Sequence, residues 1–165
     1  MNVMNSFLDL LEGETDLYRA LREVLQKEKD AVVSSRIEDL NEAGKEKENL
    51  LLKIRILEEQ RMHLTDKLAT LFGCSVNDLN LSKLSKLVEK PYSTRLDACH
   101  SSLADLMQGI KKLNNSNKAL LVHSLDLVKG SLTLFNSLVA SNPVYYCTGK
   151  IQGPDYSGKV LSGEI

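Results

Sequence analysis

The residues that invite a chemical reading are a glycine-rich run near the C-terminus, three histidines and three cysteines. Gly153-Pro-Asp-Tyr-Ser-Gly158-Lys159 matches the first seven positions of the phosphate-binding loop G-x-x-x-x-G-K-[ST]. That loop cradles phosphates on backbone amides and holds magnesium with its final hydroxyl. Here Val160 stands where the hydroxyl belongs, no strand precedes the glycines, and too few residues follow for a helix whose N-terminus would face the phosphate. The match is a coincidence of composition. His63, His100 and His123 show neither HxxxH nor HExxH spacing, and Cys99 and His100, being adjacent, would point about 100° apart on a helix, a poor metal pair. Cys74, Cys99 and Cys147 are odd in number and form no CxxC, the pattern of reduced thiols in a cytosolic compartment. Carboxylates are dense between residues 12 and 67, but Lys and Arg alternate with them, as on solvated helix faces rather than in a desolvated acid–base pair. The expectation is a protein without catalytic machinery, metal or cofactor.

The elements that would carry any site are helical. From Leu96 a 4-3 spacing runs through Cys99, Leu103, Leu106, Ile110, Leu113, Asn117, Leu120, Ser124, Leu127, Ser131 and Leu134 to Leu138, with no Pro inside it and no Gly on it. Such a period predicts one long helix lying along others, about 63 Å over that stretch at 1.5 Å per residue. Asn117, polar in an apolar seam, is expected to set register. The fold class is therefore all-α: an elongated antiparallel bundle in which a coiled-coil hairpin is joined by a long C-terminal helix.

The hairpin is read from the charged half. Leu10, Leu17, Leu21, Val24 and Ala31 predict a first helix over 5–33, and Leu50, Ile54, Leu57, Arg61, Leu64, Leu68 and Leu71 give the second its own seam. Ser35 followed by Glu38 predicts a capping box starting the second helix at Arg36, and Gly73 predicts its end. A short helix over 77–89, with Leu79, Leu81, Leu84, Leu87 and Val88, should stop before Pro91, and Ser93 should cap the last helix. Asn142-Pro143 closes that helix. The expected domains are one helical bundle over 1–141 and a mobile Gly-rich tail over 142–165.

At 165 residues, 42% apolar with no Trp, the chain can bury one Leu-rich core. A net charge of −1 offers no basic excess for nucleic acid. No apolar run approaches a membrane span, and the N-terminal segment lacks basic residues and carries Asp9 and Glu12 inside its short apolar stretch, unlike a secretory signal, so no membrane insertion is expected.

The last helix changes character part-way. Residues 98–149 hold few charges, namely Asp105, Lys111, Lys112, Lys118, Asp126 and Lys129. A second 4-3 stripe appears there: Leu121, Leu125, Val128, Leu132, Phe135, Val139. Burying six such side chains is worth roughly 9–18 kcal/mol gross at about 1.5–3 each. Two readings stand. The stripe is covered by the short third helix or by a second copy in a homodimer, or it is a docking face for an amphipathic helix of a partner.

Two asparagines three apart and a following Leu pair (Asn114, Asn117, Leu120, Leu121) lie in the last helix, and a Y-x-x-x-G turn follows it at Tyr145 and Gly149. Together with the charged hairpin and the short linker helix before them, these residues make the chain resemble the FlgN-type flagellar export chaperones over about residues 5–152. The resemblance implies a cytosolic chaperone, not an enzyme. It would hold C-terminal helical segments of the hook–filament junction proteins and deliver them to the flagellar type III export gate. Its client face would comprise Asn114, Asn117, Leu121, Leu125, Val128, Leu132, Phe135 and Val139. Tyr145, with Tyr146 beside it, would dock at the gate.

Overall fold

In the computed structural model, which describes residues 2–140, all regular structure among the described residues is helical. Helix α1 runs Asn2–Val33 and α2 runs Ile37–Phe72; a single 3-10 turn, Val76–Asp78, leads to α3 at Leu81–Leu87; α4 runs Tyr92–Ala140. The chain divides into two compact units, Met1–Leu121 and Val122–Ile165, and α4 contributes residues to both. The boundary expected at 141/142 lies at the edge of the described residues, and the tail lies outside them.

Helices α1 and α2 end in the same way. After α1 the Ser35 amide donates to the Val32 carbonyl at 3.1 Å and the Arg36 amide to Ala31 at 2.9 Å. After α2 the Gly73 amide donates to Thr70 at 3.3 Å and the Cys74 amide to Ala69 at 3.0 Å. Each is a Schellman closure, with Gly73 at φ 64° and Ser35 at φ 54° in the left-handed position. Gly73 thus ends α2 as expected. The capping box does not form. Ser35 is consumed by the end of α1, and Arg36 stands at the N-cap of α2 with no side-chain cap bond. Its guanidinium instead meets Asp39 at 2.7 Å.

Two further expectations are corrected. The single helix over 77–89 is broken at Leu79, because the Asn80 side chain accepts the Lys83 amide at 2.8 Å and starts α3 there. Ser93 does not cap α4, since that helix already begins at Tyr92.

Direction follows from the cross-helix bonds of the first unit. Glu14 meets Arg61, Tyr18 meets Glu58, Lys27 meets Glu46 and Glu28 meets Lys47, so partners climb α1 as they descend α2. These two helices form an antiparallel hairpin. Glu12 meets Arg95 and Glu28 meets Asn117, so α1 and α4 climb together and run parallel. Between α2 and α4 the short α3 connection returns the chain.

The interior is layered. One apolar cluster joins Met4, Phe7, Leu8 and Leu11 of α1 to Leu68, Leu84, Leu96 and Cys99, one contribution or more from every helix. A second joins Leu21, Leu25 and Ile54, with Ile110 and Leu113 packed on it. Of the predicted α2 seam, Ile54 and Leu68 are buried, whereas Leu71 faces solvent. Full burial of Leu8, Leu11, Leu25, Leu68, Leu84 and Leu96 stabilises this unit by about 1.5–3 kcal/mol each before entropy.

Candidate partner-docking surface

Up to Leu121 the α4 seam does what its spacing predicts. Leu96, Cys99, Leu106 and Asn117 are buried, and Leu103, Ile110, Leu113 and Leu120 are half-buried. Arg95 fixes the start of α4 to α1 through Glu12 at 2.8 Å and Asp9 at 3.5 Å, and its hydrogen bond to Glu12 raises its proton affinity.

Three polar side chains bond across the helices of the same unit, Glu14 and Asn117 buried and Tyr18 half-buried. Glu14, 2% exposed, accepts from Arg61 Nε at 2.9 Å. Burial pushes its carboxyl above the usual range and the Arg61 charge pulls it partly back. The Tyr18 hydroxyl donates to Glu58 at 2.8 Å, and burial first, then that bond, raises the phenol. Asn117, 1% exposed, donates from Nδ2 to the Leu25 carbonyl at 2.8 Å and to Glu28 Oε2 at 2.7 Å, and Lys47 holds the other oxygen of Glu28. One amide thus ties α4 to α1 and, through Glu28, to α2. This is the expected register role. It also takes Asn117 off any surface a client could touch.

Among the described residues the histidines and cysteines form no centre. His63, His100 and His123 are all exposed; Cys99 is buried, which raises its thiol, and Cys74 is half-buried. Among the described residues no group of three or more His, Cys, Asp or Glu converges on one point.

In the second unit the pattern inverts. The stripe residues Leu125, Val128, Leu132 and Phe135 are 57%, 56%, 46% and 65% exposed. Within the second unit no described residue covers them. The seam itself also emerges: Leu127, Leu134 and Leu138 are as exposed as the stripe. They were expected to be interior. The spacing alone held no signal for this, since it repeats unchanged from Leu96 to Leu138. Of the remaining client residues, Asn114 is exposed and Leu121 half-buried, both in the first unit. The side chain of Val139, and Tyr145 and Tyr146 altogether, lie outside the described residues.

An amphipathic helix with large Leu and Phe side chains left in water can bury them on another helix and has little to offer a small molecule. The model of the FlgN protein family matches residues 1–153. This chain belongs to the FlgN family. Its role is accordingly that of a flagellar export chaperone, and the FlgN family is one of chaperones rather than enzymes. The chain matches no curated protein and no solved structure. Among the described residues no helix is long and apolar enough to cross a membrane.

Proposed function

We propose that this FlgN-family chain works in the cytosol, where it binds C-terminal helical segments of the hook–filament junction proteins and hands them to the flagellar type III export gate. One observation carries the reading: Leu125, Val128, Leu132 and Phe135 form an exposed apolar stripe on α4 that no described residue of the second unit covers. A client segment that is amphipathic and unstable alone gains its helical order by burying its own apolar face there. Asn114 and Leu121 extend the proposed client set toward the bundle, Val139 extends it toward the C-terminus, and Asn117 acts from within by fixing α4. Tyr145 is the proposed gate contact.

The same exposed stripe favours one alternative, a structural coiled-coil protein that homodimerises through α4. Calorimetric titration of the full chain with C-terminal fragments of the junction proteins separates the two. Saturable binding near one to one, retained by a chain ending at Ser141, is the expected result. Binding lost with that truncation would move the client site to Tyr145 and beyond. Absence of binding, with dissociation on dilution that costs helicity, would establish the dimer instead.

A further inference from the structure

The width of the exposed face says how many helices it takes. Within the first unit, α4 is covered on three adjoining rows. Two are the seam rows, Leu96-Leu103-Ile110-Asn117 and Cys99-Leu106-Leu113-Leu120, and the third is a flank of Arg95, Ser102, Gly109 and Ser116, all half-buried. Helices α1 and α2 provide that cover along most of its length, and α3 adds Leu84 beside Leu96 and Cys99 at its start. The opposite flank (Asp97, His100, Ala104, Met107, Lys111, Asn114, Lys118) is exposed and mostly polar.

Within the second unit the seam rows continue as Leu127-Leu134 and Ser124-Ser131-Leu138. The flank that was polar becomes apolar, as Val128-Phe135 and Leu125-Leu132. The flank that faced α1 now carries His123, Gly130 and Ser137. At about 100° per residue these four rows span roughly 180°, against the roughly 100° stripe that suffices for an ordinary surface helix. The two charges between Ser124 and Leu138, Asp126 and Lys129, both fall outside the arc, so apolar contact dominates it.

We propose that the α4 face from Leu125 to Leu138 receives two client helices side by side, one on the Leu127-Leu134 seam and one on the Leu125-Leu132 stripe. This rests on the chaperone reading and specifies its client as a two-helix segment. A second copy offering one α4 face would leave two of the four rows wet, which argues against a simple dimer as the occupant.

The test uses the full chain and a full-length hook–filament junction protein. Leu134→Asp strikes the seam and Leu132→Asp the stripe; both positions are exposed, so helical circular dichroism should be retained. Each should weaken binding by roughly tenfold or more, as loss of an interface anchor does. A photo-reactive side chain at 134 and another at 132 should label different segments of the client. If either substitution is silent, or both positions label one segment, the two-helix inference falls while the chaperone reading stands. If the unaltered chain does not bind the client at all, both fall. If sedimentation shows the free chain already assembled through both rows, the face belongs to its own copies and the inference is overturned.

Discussion

At the scale of single residues, the first unit depends on polar groups that its sequence places in the interior. Asn117 joins the Leu25 carbonyl and the buried Glu28 carboxylate. Asn117→Ala removes both donations and leaves two acceptors short of a partner, and that should lower stability by about 1–3 kcal/mol in urea unfolding. Glu14 has a different signature. Burial raises its carboxyl above the ordinary 4.5, although Arg61 opposes the shift. The folded chain therefore takes up this proton at a pH where the unfolded chain has already released it. The associated stability is fully present below the unfolded value and is lost as pH rises through the folded one. Wild type should gain stability relative to Glu14→Gln as pH falls from about 7 toward 4.5. Parallel urea titrations at several pH values would show it; a constant gap would mean that Glu14 does not titrate differently on folding.

At the scale of elements, the two hairpin helices close by the same motif with different residues in the left-handed position. Gly73 occupies it without a Cβ penalty, and Ser35 occupies it at a cost. Nothing lies within 4 Å of a Cβ built at Gly73, so Gly73→Ala should cost about 1 kcal/mol through backbone strain alone. Ser35→Gly should act in the opposite sense, stabilising by a few tenths to about 1 kcal/mol after the extra freedom of glycine in the unfolded chain is subtracted. Thermal unfolding midpoints moving in opposite directions would establish that the shared closure sets both effects. The surface ion pairs Arg19–Asp16, Lys27–Glu46 and Arg55–Glu59 are well exposed and should each contribute about 0–1 kcal/mol, so salt should change stability little.

At the scale of the whole molecule, the buried set ends at Asn117 among the described residues, and the first compact unit ends at Leu121. A chain cut after Leu121 should therefore unfold cooperatively in urea with a stability within about 1 kcal/mol of the full chain, while losing client binding. A large loss of stability would show that the second unit contributes to the core and would weaken the assignment of its apolar rows to a partner.

Much of this was legible in the sequence. Periodicity determined that the described part of the chain is helical and that α4 is one uninterrupted helix, and local residue types placed the end of α1 at Val33 and of α2 before Gly73, because these depend on neighbours within a turn or two. Asn117 was recognisable as a register residue by its place in an apolar seam. Local patterns failed where two local demands competed: Ser35 could cap α2 or close α1, and Asn80 could continue a helix or start one. The seam failed differently. Leu106 and Leu134 are the same residue type at equivalent positions of one repeat, yet one is 5% and the other 63% exposed. Spacing states which side of a helix is apolar; burial requires another helix at that height, which spacing does not state. The sequence by itself determined an apolar face on α4, and only the tertiary structure decided which of its described residues are buried and which are exposed.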